Sequence, residues 1–399
     1  MSAERTSPSV LFFGIACSVP IHTPDRLAVE LAVHFNTRTD MRADLLDLYK
    51  LDLLSSARQL LLKKRGIKHI DFLGLRAGKA NTVSSLRAAW RLRKILIQEK
   101  YDFIETNGSV ATLIAAAARL GLSTTHIVGI HEVHGPDWPN FSSFFRRTAA
   151  SFLFRYNTYF YAVSEYARRH WAVLAPRFSA YTRLIYNAAE NDFFTVKSDR
   201  DALAAELSIP ADSPIFLFVG RVIVHKGIET LLAGIGQLLE ERNAYLLCAG
   251  AVIDTLFYQK VQTYLSQQTW SYRVRFLGAR DDIPRLMASS DILVFPTLHD
   301  AFGLVIAEAM ACGLPIVTTN VGGIPEVLEG TQELQISPGD YLALRKVTEK
   351  VLSRSPQEKL ACAELAKKAA QRFTTARRAA DMIALYEDVV SSRPHPLWS

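Results

Sequence analysis

Cysteine is scarce in this chain of 399 residues: Cys17, Cys248, Cys312 and Cys362 stand far apart and form no CxxC pair. That spacing argues against a disulfide framework and a structural zinc site, and it fits a reducing compartment. No apolar run approaches the ~20 residues of a membrane-spanning helix. The short apolar stretch Val10 to Cys17 follows both Glu4 and Arg5, so it reads as a first strand better than as a signal peptide. There is no Walker A loop, and no dinucleotide-type GxGxxG follows the first strand. Ser164 and Glu165 follow a strand without the GxSxG elbow, which leaves a hydrolase triad unsupported. No DNA- or RNA-binding signature accompanies the basic segments. One DxD string, Asp199-Arg200-Asp201, sits in a linker at a helix start, where N-capping accounts for it better than a metal site.

What is present is an ordinary globular composition, with 49% hydrophobic and 21% charged residues, in a chain long enough for two domains. The net charge of +7 is uneven. Residues 1–187 hold 25 Lys plus Arg against 14 Asp plus Glu, whereas residues 188–399 hold 21 against 25. A basic first half suggests an anionic partner on that side.

Periodicity alternates between strand and helix. In the first half, strands are expected at Val10–Ala16, His69–Leu73, Phe103–Thr106, His126–Ile130 and Tyr159–Val163. Helices are expected at Arg26–Phe35, Asp44–Arg65, Arg87–Lys100 and Ala111–Leu120. The segment Phe141 to Phe178 sets Arg146, Arg147, Arg155, Arg168, Arg169 and Arg177 among aromatic residues, with Glu165 its only acid. It reads equally as core helices around a strand or as a face lying on an anionic bilayer. The polar stretch Thr195 to Asp212 marks a domain boundary. A second alternating series follows, with strands at Ile215–Val219, Tyr245–Ala249, Val274–Phe276, Ile292–Phe295 and Pro315–Thr318, and a mostly helical end from Tyr341 to Val390. Such alternation predicts α/β domains with parallel sheets.

The stretch HDAFGLVIAEAMACG, residues 299 to 313, stands out. It reads as loop then helix after a buried strand. Gly303 permits close backbone approach, and the first-turn amides of the helix attract anions. Asp300 and Glu308 flank that anion site and suit hydroxyl groups. Anion-binding amides beside hydroxyl-binding acids fit a sugar phosphate or a nucleotide. In GRVIVHKG, residues 220 to 227, Arg221 and Lys226 are placed to hold phosphates at a strand's carboxyl end. His131 directly follows a strand and is a candidate by position; His134 is a weaker one.

These motifs resemble the retaining glycosyltransferases of family 4. FVGRVIVHKG is similar to the family's diphosphate clamp, FLG (276–278) and SSDILVFPT follow in the family's order, and DAFGLVIAEAMACGLPIV is similar to its two-acid signature. GGIPEV (322–327), HIVGIHEVHG, AVSEYAR and LIYNAAENDFF also fit. The resemblance implies a GT-B fold, with two Rossmann-like domains whose parallel sheets face across a cleft. Residues 1–190 would form the acceptor-side domain and 191–375 the nucleotide-sugar domain, with a helix in 376–399 packing back on the first.

By matching position, Arg221, Lys226, Gly220 and Gly278 would bind the donor diphosphate side. Asp300, with Phe302, Gly303, Leu304 and Val305, would meet the transferred sugar and distal phosphate. Glu308 would bind the ribose, and His131 would stand near the sugar. Three departures are visible: Asp300 in place of the commoner glutamate, Cys17-Ser18-Val19-Pro20 in place of a glycine pair, and Ala188 after Asn187 in place of glycine.

The expected reaction is metal-independent, retaining transfer from a nucleoside diphosphate sugar, of UDP or GDP type and without a cofactor, to a hydroxyl acceptor. A lipid-linked or cell-surface polysaccharide intermediate is the expected acceptor, in the cytoplasm or at the inner membrane face through residues 141–178. Rival readings are a sugar-nucleotide epimerase, a soluble disaccharide or glucan synthase, and an inactive GT-B scaffold.

Overall fold

The structure, a computed structural model, describes residues 8–15, 23–47, 67, 69–70, 82–131, 154 and 157–391. The chain divides into two compact units, one made of residues 1–187 with 375–399 and the other of residues 188–374. The division precedes the polar stretch Thr195–Asp212, which carries the helix Arg200–Glu206 and belongs to the second unit.

Among the described residues, the first unit has seven strands: β1 (Ser9–Ile15), β2 (Arg42–Asp47), β3 (His69–Ile70), β4 (Phe103–Asn107), β5 (Thr125–Ile130), β6 (Thr158–Ala162) and β7 (Thr182–Leu184). They lie in the order β3-β2-β1-β4-β5-β6-β7, and each neighbouring pair is parallel. Side chains alternate between the two faces of β1. Leu11 and Phe13 point into a core formed with Ala88, Leu92 and Leu96 of the helix Thr82–Glu99 and with Ile114 and Ala115 of the helix Ser109–Ala118. Phe12 stacks instead on Phe35 of the helix Thr23–Arg38, which meets Tyr386 of the helix Thr375–Ser391 edge-on. Tyr386 also packs on Phe103 at 4.6 Å between ring centroids. The chain's last helix therefore completes one face of the first sheet.

The helix expected over Asp44–Arg65 is not what its beginning forms. Residues 44–47 run in β2, paired with β1 from Ser9 opposite Arg42 to Phe13 opposite Leu46. The leucine spacing suits a helix, but Leu45 and Leu46 are both fully buried, as adjacent residues are only when both faces of a sheet are covered. Residues 48–66 lie outside the described residues.

The second unit has six parallel strands: β8 (Ile215–Val219), β9 (Tyr245–Ala249), β10 (Val274–Gly278), β11 (Ile292–Phe295), β12 (Ile316–Thr319) and β13 (Leu334–Ile336). Their order is β10-β9-β8-β11-β12-β13. Runs such as IFLFV and ILVF are apolar because both faces of these strands are covered. β13 escapes notice in the sequence: of its three residues only Ile336 is buried, too little for a period to register. From β8 the chain winds outward to β10, returns to β11 on the other side of β8, and winds outward again. That reversal is a topological switch point, where open α/β sheets place ligands at the strands' carboxyl ends. Among the described residues, no helix is long and apolar enough to cross a membrane.

Removing the last helix's aromatic anchor should cost the first unit dearly. Tyr386→Ala both opens a cavity and deprives the buried Glu105 carboxylate of a hydroxyl donor. We expect a loss of about 3–5 kcal/mol, read as a lowered denaturant midpoint. A shift below about 1 kcal/mol would show that the helix is dispensable.

Candidate functional site

Three loops of the second unit converge beyond the carboxyl ends of β8, β11 and β12. The loop after β8 starts with Gly220 and Arg221, is pinned by a Val222 amide hydrogen bond to the Ala251 carbonyl at 2.8 Å, and turns at Gly227 with φ +74°. A Cβ on Gly227 would overlap the Pro296 carbonyl, so only glycine lets this loop cross the loop after β11. Thr297 Oγ1 lies 3.0 Å from the carbonyls of both His225 and His299, which share its one proton, and the Leu298 amide donates to His225 O at 2.8 Å. The Gly323 amide in the turn after β12 donates to the Asp300 carbonyl at 3.2 Å.

Across this junction runs one ion pair. Lys226 Nζ donates to Asp300 Oδ2 at 2.7 Å, with both side chains mostly buried and the ammonium 5.3 Å from the Phe295 ring centroid. The other oxygen, Oδ1, accepts from the amides of Gly303 at 2.7 Å and Phe302 at 3.2 Å. Burial by itself would raise the Asp300 carboxyl. The Lys226 charge, its hydrogen bond and the two amides outweigh burial and hold it below its ordinary value. His225 is pushed down to about 4 by burial and then by the charges of Lys226 and Arg221. It is therefore neutral at physiological pH, and the positive charge of this loop belongs to Arg221 and Lys226.

Gly303 begins the helix Leu304–Cys312 in a left-handed conformation, φ +85°. Its amide, expected to face a phosphate, is occupied by Asp300. The first intrahelical bond comes from the Ile306 amide to Gly303 O at 2.9 Å, so the amides of this terminus that precede the helical ladder are those of Leu304 and Val305. Glu308 is buried one turn on, along the same line of the helix as Leu304. The Phe302 ring is buried against Phe373 at 5.4 Å and is an anchor for the loop. Gly278, at φ +68° with open space where a Cβ would stand, accepts a 2.7 Å hydrogen bond from the Gly250 amide. Sequence reasoning passed over Gly250, whose Cβ would overlap the Gly220 carbonyl; its signal was the AGA that ends β9. The structure thus brings Gly220, Arg221, Lys226, Asp300, Phe302, Gly303, Leu304 and Val305 to one edge of one sheet, with Glu308 in the helix behind and Gly278 two strands away from β8.

His131 belongs to the first unit, at the end of β5, within a network of buried polar groups. Its Nε2 lies 3.2 Å from Tyr161 Oη. Tyr161 donates to Glu105 Oε1 at 2.8 Å and accepts from Arg378 Nη2 at 3.1 Å. Tyr386 donates to the other Glu105 oxygen at 2.9 Å. Burial raises Glu105, against the pull of Arg378 and the two hydroxyls. With its single proton directed at Glu105, Tyr161 offers His131 a lone pair. Nε2 then carries the imidazole proton, and Nδ1, buried and without a partner among the described residues, is an acceptor. Burial, and then the Arg378 charge, hold the His131 pKa well below its usual range. Gly129 makes room for this network: a Cβ there would overlap Asn107 Oδ1 and press on Tyr161 Oη and His131 Nε2. Sequence alone gave no sign of Glu105, Tyr161 or Arg378, since their meeting depends on the last helix folding back.

Other candidates resolve into structural roles. Ser164 N-caps the helix Glu165–Leu174 through the Ala167 amide at 3.0 Å. Asp199 holds the N-cap position of Arg200–Glu206 but caps nothing with its side chain, because Arg285 Nε takes the carboxylate at 3.0 Å. In the segment Phe141–Phe178, Phe154, Phe160, Trp171 and Phe178 stack on one another, while Arg168 and Arg169 pair with Glu165. Phe154 and Phe160 of that segment are core, with Trp171 and Phe178 packed against them, while Arg169, Val173 and Arg177 are exposed. Residues 132–153, including His134, Arg146 and Arg147, lie outside the described residues.

Residues 213–354 match the family model for glycosyl transferases group 1, and residues 56–188 match that for a glycosyl transferase 4-like domain. A D-inositol 3-phosphate glycosyltransferase of Corynebacterium jeikeium is 30% identical over 223 residues, 52% of each chain. An N-acetyl-alpha-D-glucosaminyl L-malate synthase of Bacillus anthracis is 30% identical over 145 residues, which cover 36% of this chain and 37% of that one. The chain therefore spans about half or less of the length of these curated relatives. Among solved structures, Anabaena HepE in complex with UDP and glucose has a TM-score of 0.80 at 20% identity, covering 96% of this chain and 100% of that one. The lipopolysaccharide-biosynthesis glycosyltransferase WaaG has a TM-score of 0.70 at 17% identity, covering 94% and 99%.

The His131 network makes a spectroscopic prediction. Nitrogen-15 NMR should show an Nε2–H ring that stays neutral below the ordinary histidine value of about 6.5. Arg378→Gln removes a neighbouring positive charge and should raise that pKa. An Nδ1–H ring, or a pKa unmoved by the substitution, contradicts the arrangement.

Proposed function

Because the chain belongs to the group 1 glycosyltransferases and has their two-domain GT-B fold, we propose that it moves a sugar from a nucleoside diphosphate sugar, of UDP or GDP type, to a hydroxyl acceptor with retention at the anomeric carbon. One observation carries the reading: the Lys226–Asp300 pair held at the switch point beside the open amides of Leu304 and Val305. Cleaving the donor leaves negative charge on a diphosphate. An ammonium, the Arg221 guanidinium and two helix amides are the groups that stabilise such charge. Lys226 has three N–H donors and gives one to Asp300, leaving two for phosphate oxygens. Asp300 has three of its roughly four lone-pair positions filled and can accept from one sugar hydroxyl. Glu308 is assigned to the ribose, and neutral His131, through Nδ1, to a further hydroxyl. With these cations in place the reaction requires no metal.

The acceptor we favour is a lipid-linked or cell-surface polysaccharide intermediate, met at the cytoplasmic side of a membrane; the basic composition of the first half supports it. A small soluble polyol or hydroxy acid is the second reading, supported by relatives named for inositol 3-phosphate and for malate.

Lys226→Ala should stay folded, lose the rise in melting temperature that the preferred nucleotide sugar gives the wild type, and lose about 2–4 kcal/mol of transition-state stabilisation, roughly 30- to 1000-fold in rate. Full activity in that variant refutes the assignment. In chelator, the wild type should still turn over, and NMR of the product should show the donor's anomeric configuration. Inversion, or activity that returns only with added divalent metal, counts against the mechanism.

A further inference from the structure

The helix Thr82–Glu99 is apolar on two sides. Ala88, Ala89, Leu92, Ile95 and Leu96 face the core of the first unit. On the outward side Val83, Leu86, Trp90 and Ile97 are 58%, 64%, 58% and 52% exposed. At about 100° per residue these four fall within one narrow arc, a stripe about 20 Å long at 1.5 Å per residue. The adjoining arc carries Lys94, Arg87 and Arg91. Lys94 Nζ sits 3.7 Å from the Trp90 ring centroid. Along the opposite edge, Arg93 Nη1 donates to the carbonyls of Ala118 at 3.0 Å and Leu120 at 2.5 Å, and so holds the exposed Leu120 beside the stripe. The helix's only acid, Glu99, is turned inward to Arg42 at 3.0 Å. Its outward face therefore holds large apolar residues and cations with no carboxylate.

Water is a poor solvent for such a stripe, and its neighbours specify what covers it. A second copy packed antiparallel on this stripe would set the cationic arc of one helix beside that of the other, where like charges repel. A phosphate-rich polymer would meet the cations but leave Leu86 and Ile97 in water. An anionic lipid bilayer satisfies both arcs: apolar side chains enter the acyl boundary, Trp90 sits at headgroup level, and the flexible cations reach up to lipid phosphates.

We propose that the outward face of the helix Thr82–Glu99, through Val83, Leu86, Trp90 and Ile97 with Arg87 and Lys94, docks the first unit on an anionic membrane surface. This places the contact on a different segment from Phe141–Phe178, whose described aromatic residues are spent on the core. It stands apart from the donor reading, since no nucleotide sugar enters its test.

The test is flotation of the full chain with phosphatidylglycerol-containing vesicles and with pure phosphatidylcholine vesicles, at low and high salt. The expected result is binding to the anionic vesicles alone, weakened by salt. Arg87→Gln with Lys94→Gln should weaken it by about fivefold per charge. Leu86→Ser with Trp90→Ser should weaken it more than about tenfold, through lost apolar burial. All four positions are exposed, and unchanged melting temperatures establish that the variants fold. In wild type, brominated lipid should quench tryptophan fluorescence, and Trp90→Phe should remove most of that quenching. No flotation at low salt overturns the proposal. Flotation that survives both double substitutions also overturns it, as does a solution dimer broken by Leu86→Ser with Trp90→Ser.

Discussion

One ion pair fastens the second unit's ligand-facing edge. Lys226 comes from the loop after β8 and Asp300 from the loop after β11, and their 2.7 Å contact spans the two strands where the chain reverses direction in the sheet. Backbone contacts prepare the approach: Gly227 passes against the Pro296 carbonyl, and the Gly323 amide holds the Asp300 carbonyl from the third loop. The charge pair then sets the rest. It keeps Asp300 ionised despite burial, it aims the ammonium along the carboxyl end of β11, and it leaves Leu304 and Val305 as the open amides of the helix. Losing either partner would leave a mostly buried charge without its counter-ion, so the site's electrostatics and its shape depend on the same two residues.

The first unit has a comparable dependence on chain connectivity. Glu105 lies inside a strand, fully buried, and its carboxylate is served by hydroxyls from β6 and from the chain's last helix. Arg378 of that helix also donates to the Tyr186 carbonyl at 2.8 Å and to Asn187 Oδ1 at 3.2 Å. A segment nearly two hundred residues downstream therefore fastens Tyr186 and Asn187, and its Arg378 charge adds to the burial that lowers the His131 pKa. Stability and site chemistry are joined there through a network that is costly to leave half satisfied.

Much of this was legible in the residues. Uninterrupted apolar runs marked β8, β9 and β11, since parallel strands buried on both faces have no alternation to hide. The GR…KG and DAFG…E segments marked the loops that meet, because each lies between such a strand and a helix. Four kinds of feature were not legible. β2 carries leucines at helical spacing and became a strand only through its pairing with β1. β13 is too short for any period. The His131 network draws on β4, β5, β6 and the last helix, and no local pattern in Glu105, Tyr161 or Arg378 announces partners 56, 217 or 281 residues away. The outward stripe on Thr82–Glu99 was hidden for another reason: its apolar residues alternate with those of the inner face, so the sequence shows a helix with a basic face until burial separates its two apolar sides.

Asp300 also gives its departure from the family's commoner glutamate a physical meaning. An aspartate carboxylate stands one methylene from its own backbone, the reach that lets it accept from amides two and three residues on. Here those amides are Phe302 and Gly303, and the same carboxylate still meets Lys226. A glutamate would extend past that turn toward a bound ligand and give up the amide contacts. The shorter acid is thus held mainly by the protein, as the clasp between two loops, with a single lone-pair position left facing outward. One lone-pair position of Asp300 is thus left unfilled, and the loop geometry that fixes the carboxylate is set by the protein's own contacts.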